Sequence, residues 1–134
     1  MPFRKTSLIL LAIAGLLLTA DVAAAQLKPS PAKRLRSPAT VRGFIGGESH
    51  DSYVIRVRTG RTLMVRLSWR REGKNRASFS VIESPNYYTA EQVKFGTESD
   101  NGKRWVGRIP RSGDYYIDVV ADPSAHYTLR ITVK

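Results

Sequence analysis

The amino-acid sequence predicts an all-β domain, built as an antiparallel sandwich or a small barrel of about seven to eight strands. No segment after residue 26 repeats its apolar side chains with the 3.6-residue period of a helix. Apolar and polar side chains instead alternate in short runs, which is the period of a strand with one buried face. Turn residues separate these runs every 8–12 residues or so, a spacing typical of sandwiches and barrels.

The first 25 residues are expected to be removed rather than folded. Arg4 and Lys5 precede an apolar run over residues 8–18, and residues 23–25 supply the small side chains of a cleavage site. This order is that of a secretory signal peptide, with cleavage after Ala25. A membrane anchor is the alternative reading, but a spanning helix needs about 20 apolar residues and this run is shorter.

Residues 26–40 are expected to form an extended, flexible and basic arm. The segment combines three prolines with four cationic side chains, and its apolar residues follow no period. The folded domain is therefore expected to occupy residues 41–134.

The strongest local prediction is a hairpin formed by residues 51–58 and 62–69. Both runs keep period two and direct these side chains to the core: Tyr53, Ile55, Val57, Leu63, Val65, Leu67 and Trp69. Val54, Arg56 and Arg58 lie on the opposite face of the first run. Residues 59–61 have the length and the glycine of a tight hairpin loop. A preceding strand over residues 41–45 is expected to end at the two glycines that follow it.

Three strands are expected in the middle of the domain. They cover residues 77–82, a short edge strand at 91–95, and residues 103–109. Their core residues are predicted to be Phe79, Val81, Trp105 and Ile109.

The last two strands are expected over residues 115–120 and 125–133. Pro110 suits a strand end because it has no N–H, and Gly113 can take a positive φ in the turn that follows. Tyr115 is predicted to lie on one face of its strand, whereas Tyr116 and Asp118 lie on the other. Because Asp118 is polar, its face is expected to be the wetter one.

The composition favours binding over catalysis. The chain has no cysteine, which excludes thiol catalysis, thiolate-bound metals and disulfides. No Gly-x-Ser-x-Gly elbow is present, and the carboxylates are scattered rather than paired across a cleft. Glu48, His50 and Asp51 could ligate a divalent cation, but Asp51 begins a strand, where capping explains it. We therefore expect no enzymatic activity, no metal and no cofactor.

Several short motifs occur in the order found in bacterial pre-peptidase C-terminal-like domains. They are Gly43-Phe44-Ile45, Asp51-Ser52-Tyr53-Val54-Ile55, Gly60 before Leu63-Met64-Val65, Ser112-Gly113-Asp114-Tyr115-Tyr116-Ile117 and Tyr127-Thr128-Leu129-Arg130-Ile131. The chain resembles this family over nearly all of residues 41–134, and the resemblance implies a jelly-roll-like β-sandwich. Among stand-alone exported domains, it is similar to the periplasmic inhibitors of g-type lysozyme.

The resemblance to these inhibitors gives a first hypothesis about the binding surface. Other bacterial lysozyme inhibitors carry a Ser-Gly-x-Tyr or Ser-Gly-x-x-Tyr loop that enters the lysozyme cleft, and residues 112–116 match both spacings. The resemblance implies that a turn and its neighbours block an acidic cleft of a g-type lysozyme: Arg108, Arg111, Ser112, Gly113, Asp114 and Tyr116. The alternative is that the turn is only structural, with Tyr115 packed inward.

Positive charge gives a second hypothesis. The sequence has 22 Lys and Arg against 11 Asp and Glu, a formal net charge of +11. Arg56, Arg58 and Arg66 are expected to project from one side of the predicted hairpin, and arginine suits bidentate contacts with carboxylate and phosphate. The alternative function is thus a cationic accessory module that binds lipopolysaccharide or peptidoglycan, unless the charge serves only solubility.

The expected location follows from the signal peptide. We expect a periplasmic or extracellular protein that is not integral to a membrane, and export makes nucleic acid a poor candidate for the partner.

Overall fold

The computed structural model describes residues 31–86 and 88–134, which form nine strands and no helix. The strands are β1 (Lys33–Leu35), β2 (Ala39–Gly46), β3 (Asp51–Val57), β4 (Thr62–Trp69), β5 (Arg76–Ile82), β6 (Thr97–Ser99), β7 (Arg104–Arg108), β8 (Gly113–Asp122) and β9 (Ser124–Val133). The described part of the chain thus offers no helix long and apolar enough to cross a membrane. The predicted signal peptide lies outside the described residues.

Two sheets pack face to face. The four-stranded sheet has the order β1-β3-β8-β5, and the five-stranded sheet has the order β2-β9-β4-β7-β6. Neighbouring strands are antiparallel except for β1, which runs parallel to β3. The predicted all-β antiparallel sandwich is confirmed.

The core lies between the sheets and is filled by the side chains that period two directs inward. The buried residues include Tyr53, Ile55, Val57, Leu63, Val65, Leu67, Val81, Trp105, Ile109, Tyr115, Ile117, Val119, Tyr127, Leu129 and Ile131. Phe79 and Trp69 are partly buried against this cluster. The pattern of alternation therefore identified the buried face correctly in β3, β4, β7, β8 and β9.

The predicted hairpin of residues 51–58 and 62–69 is wrong as a pairing. β3 pairs with β1 and β8, whereas β4 pairs with β9 and β7 in the other sheet. The turn at residues 59–61 therefore crosses the core from one sheet to the other. Alternation shows which face of a strand is buried, and it does so equally for strands that lie beside each other and strands that face each other.

Two boundaries also differ from the expectation. Residues 33–35 form β1 and β2 begins at Ala39, so part of the segment expected to be a flexible arm belongs to the sandwich. Residues 91–95 form no strand. They lie beside β5 instead, where the Val93 N–H donates to the Val81 carbonyl at 2.9 Å and the Val81 N–H donates to Gln92 Oε1 at 2.8 Å.

The outer face of the four-stranded sheet is not uniformly wet. Val54 and Ile82 are buried there, on either side of the half-buried Tyr116. Asp118 is only 2% exposed. The expectation that this carboxylate marks a wet face is wrong, because the outer face is covered here: His50 lies close enough to act on the Asp118 carboxylate, and its ring stands edge to face with that of Tyr88 at 5.8 Å.

Candidate functional site

The Ser112 turn is fastened to the turn between β3 and β4. The Ser112 N–H donates to Thr59 Oγ1 at 2.8 Å, and the Thr59 N–H donates to Ser112 Oγ at 2.8 Å. Beside this reciprocal pair, the Gly60 N–H donates to the Ile109 carbonyl and the Ile109 N–H to the Arg61 carbonyl, each at 2.8 Å. Two loops that are distant in sequence thus form one rigid end of the sandwich.

Tyr115 has the inward, structural position. Its ring is buried in the core and its hydroxyl donates to the Arg111 carbonyl at 2.7 Å, which closes the turn that precedes β8. Burial raises the pKa of the Tyr115 phenol, and the nearby Glu83 carboxylate raises it further. In the Ser-Gly-x-Tyr spacing, therefore, the tyrosine serves the fold and is not available to a partner.

Asp114 is held by arginines from two other strands. Arg34 Nη1 and Nη2 donate to the two carboxylate oxygens at 3.1 and 3.0 Å, and Arg56 Nη1 lies 4.0 Å from Oδ1. The hydrogen bonds from Arg34 lower the pKa of Asp114; burial opposes this shift, and the charges of Arg34 and Arg56 lower the pKa further. The carboxylate therefore neutralises part of a cluster of arginines.

That cluster borders an open groove of about 780 Å³ at this end of the molecule. Its walls combine apolar and cationic side chains: Leu35, Ile55, Val57, Val133, Arg34, Arg36, Arg56, Arg58 and Arg61. Within residues 31–86 and 88–134, Arg36, Arg58 and Arg61 form no ion pair. The groove therefore presents free guanidinium groups around an apolar wall, which suits an acidic partner.

The other residues predicted for the turn take different positions. Arg111 is exposed and pairs with Glu83 at 2.7 Å. Gly113 opens β8 without a positive φ and has open space where a Cβ would stand, so the expectation of a left-handed glycine is wrong. Tyr116 lies on the outer face of the four-stranded sheet, and Arg108 points out from the five-stranded sheet opposite Thr62.

Arg56, Arg58 and Arg66 do not share a face. Arg56 and Arg58 line the groove, whereas Arg66 lies on the outer face of the five-stranded sheet. This corrects the expectation of a single cationic side, and the reason is the crossing of the turn at residues 59–61. Sequence reasoning also missed Arg36 and Arg61 as groove residues, because Arg36 fell in the expected arm and the basic loop residue Arg61 carried no signal of its own.

The carboxylate considered for metal binding has another role. Asp51 accepts a hydrogen bond from the Tyr127 hydroxyl, which also contacts the Tyr53 hydroxyl inside the sandwich. Gly43 makes this possible, since a Cβ there would stand 2.6 Å from the Tyr127 oxygen. No three His, Asp or Glu side chains are grouped to hold a metal in the part of the chain that the structure describes.

The fold is similar to solved structures of two kinds. PliG of Aeromonas hydrophila, a periplasmic inhibitor of g-type lysozyme, superposes with a TM-score of 0.61 at 20% identity, over 77% of this chain and 96% of the inhibitor. PliG of Salmonella Typhimurium gives 0.52 at 20% identity, over 78% and 100%. The pre-peptidase C-terminal domain of a Bacillus anthracis collagenase gives 0.54 at 20% identity, over 80% and 98%.

These likenesses establish the fold and confirm the resemblance that the sequence motifs indicated. Comparison of the sequence with protein-family models gives no match, and comparison with curated proteins gives none either.

Proposed function

We propose that this chain is an exported, periplasmic and non-catalytic protein that inhibits a g-type lysozyme. One fold serves many functions, so the sandwich alone does not carry this proposal. The carrying observation is the convergence of Arg56, Arg58, Ser112 and Asp114 at one end of the sandwich, beside an open groove with free guanidinium groups. Similarity to two PliG inhibitors adds support.

The chemistry of this end suits a glycosidase cleft. Glycoside hydrolysis is normally carried out by carboxyl groups on either side of the scissile bond, so the cleft of such an enzyme is acidic. The end of the sandwich that carries the Ser112 turn and the groove, here called the groove end, offers the opposite charge on a backbone fixed by the Ser112–Thr59 hydrogen bonds. A surface held rigid in this way loses little conformational entropy on binding. The Ser112 turn, with Arg111 beside it, would then block access of the polysaccharide.

Inhibition of cell-wall lysis by a g-type lysozyme tests the proposal. Residues 26–134, which contain both sheets, are expected to inhibit, and Arg58→Ala and Arg36→Ala are each expected to raise the inhibition constant about tenfold. Both side chains are exposed and form no ion pair among the described residues, so neither change should affect folding. The matched control is Arg71→Ala, an exposed arginine in the loop before β5, which should inhibit like the parent.

Two results would count against the proposal in different ways. Absence of inhibition by the parent protein would refute the function. Full inhibition by Arg58→Ala and Arg36→Ala would leave the function standing and refute the groove end as the contact surface. Ser112→Ala is less informative, because it also removes the hydrogen bonds to Thr59.

A second candidate function, binding of an anionic polymer or surface of the cell envelope, is supported by a different part of the molecule. Arginines that form no ion pair among the described residues are concentrated on the outer face of the five-stranded sheet. This face is separate from the groove, so the two functions are independent and one protein can serve both.

A further inference from the structure

Three arginines form a row across the middle of the five-stranded sheet. Arg66 on β4 lies directly opposite Arg130 on β9 and Arg104 on β7. Adjacent strands are about 4.8 Å apart, so the three side chains leave the sheet as close neighbours on one face. Like charges in directly opposed positions repel and destabilise a sheet. The row is therefore an arrangement that the fold alone does not favour.

The whole outer face of this sheet shares the charge of the row. Arg42 on β2 and Arg108 on β7 point outward from the same face. The single acidic residue in its five strands, Glu98, lies opposite Trp105 and so on the inward side. The four ion pairs of the described residues all involve other arginines. The face thus carries five guanidinium groups with no carboxylate among them.

Apolar side chains interrupt this charge. A depression of about 240 Å³ lies along the row, lined by Met64, Thr132 and the three arginines. At one end of the face Phe44 is 57% exposed, although its ring lies 4.5 Å from that of His126. Cationic groups beside an exposed aromatic ring are typical of surfaces that meet lipid headgroups.

We propose that the outer face of the five-stranded sheet binds a phosphate-bearing membrane surface, with Arg66, Arg104 and Arg130 as the headgroup contacts and Phe44 at the apolar boundary. The proposal rests on the second candidate function and specifies its ligand and its site. Guanidinium groups bind phosphate through two parallel hydrogen bonds, and several anionic headgroups in a plane match several arginines in a plane. A sheet face of five strands, roughly 20 Å wide, fits a flat surface better than it fits one polymer chain.

Vesicle cosedimentation tests this assignment with residues 26–134 at 0.1 M salt. Binding is expected to vesicles of equal parts phosphatidylglycerol and phosphatidylcholine, and not to phosphatidylcholine alone. Each cation near an anionic surface contributes roughly fivefold, so the triple variant R66Q/R104Q/R130Q should lose about 100-fold in partitioning. Phe44→Ser should weaken binding severalfold while the charge is unchanged.

The matched control removes the same charge from the groove, whose lining includes none of the arginines of the row. The variant R36Q/R56Q/R58Q should bind vesicles within about threefold of the parent, because charges more than about 10 Å away are screened at this salt concentration. The same control should lose lysozyme inhibition, which R66Q/R104Q/R130Q should retain. The two functions can therefore fail separately.

Three other outcomes would each overturn one part of the proposal. Absence of vesicle binding by the parent refutes the membrane ligand, whatever the result of the lysozyme assay. Equal losses in the two triple variants show that net charge alone matters and refute the site. Equal binding to vesicles that carry the same surface charge as fatty-acid carboxylate refutes the preference for phosphate.

Discussion

Asp118 shows most clearly what sequence reasoning at the level of one residue can miss. A carboxylate in an alternating strand predicts a wet face, yet this one is 2% exposed. The register places Ser52 and Ser80 on either side of it. Burial raises the pKa of Asp118, while the Ser52 hydroxyl and the charge of His50 lower it to a smaller extent.

This raised pKa has a definite consequence for stability. The folded protein favours the protonated form of Asp118, and this preference contributes to stability. The contribution is complete below the usual aspartate pKa of about 3.9 and is lost as the pH rises through the higher pKa of the folded state. Above the usual pKa of an aspartate, the buried acid therefore destabilises the fold relative to a neutral side chain of similar shape. Asp118→Asn is expected to raise the free energy of unfolding at pH 7 by about 1 kcal/mol and to flatten its acid-range pH dependence.

Urea unfolding at pH 4 and pH 7 measures both effects. Asp122→Asn is the matched control, because Asp122 is an exposed carboxylate on the same strand and its replacement should change stability by less than about 0.5 kcal/mol. A loss of stability at pH 7 in Asp118→Asn would mean that the ionised carboxylate is held by favourable contacts, contrary to the expectation.

At the scale of the strand, the sequence predicted well which segments form strands and which face of each strand is buried. It predicted poorly which strands pair with each other. Tyr53, Ile55 and Val57 are buried as expected, yet β3 and β4 face each other across the core instead of pairing. Alternation and turn chemistry are local signals, whereas pairing depends on contacts distant in sequence. The same limit hid the row of Arg66, Arg104 and Arg130, which only the register brings together.

The first strand is a second example at this scale. β1 has three residues and a sequence typical of a linker, but it extends the four-stranded sheet along β3. Its tertiary contacts include the two hydrogen bonds from Arg34 to Asp114 on β8. A side-chain contact therefore stabilises a strand that has little strand character of its own.

Removal of that contact should loosen β1 without unfolding the sandwich. Arg34→Ala is expected to speed hydrogen exchange in residues 33–35, with exchange in β8 and β9 unchanged. Because Arg34 lowers the pKa of Asp114, the parent should lose the same protection as the pH falls through the folded-state pKa of Asp114, and the variant should not show this step. Arg36→Ala is the control. Equal protection of residues 33–35 in Arg34→Ala and the parent would contradict the assignment.

On the scale of the whole molecule, two separate surfaces of the described chain carry unpaired positive charge. The groove end holds Arg36, Arg58 and Arg61 around apolar walls, and the outer face of the five-stranded sheet holds another five arginines. The composition predicted a negatively charged partner for this basic protein, and such a partner remains a proposal. It could not predict two separate surfaces, because net charge carries no information about position.

The interior of the molecule carries buried phenols, which are expected to limit its stability in alkali. Tyr53, Tyr115 and Tyr127 are all buried, and burial is the main cause that raises the pKa of each. Two of them are linked to each other, since the Tyr127 hydroxyl contacts that of Tyr53 and donates to Asp51. The folded state therefore holds three protons that an unfolded chain releases near pH 10.

The sign of this linkage predicts unfolding by alkali. The stability that comes from a raised tyrosine pKa is complete below the unfolded-state pKa of about 10 and is lost as the pH rises through the folded-state pKa. The free energy of unfolding falls by up to about 1.4 kcal/mol per pH unit for each phenol. Urea unfolding between pH 8 and pH 11 should show this fall. Tyr115→Phe should lower the free energy of unfolding by about 1 kcal/mol at pH 8, since the hydrogen bond to the Arg111 carbonyl is lost. Between pH 8 and pH 11, the stability of this variant should then fall less steeply than that of the parent. Equal slopes in the two proteins would show that Tyr115 ionises alike in the folded and unfolded states, and the alkaline limit would then have to come from elsewhere in the core.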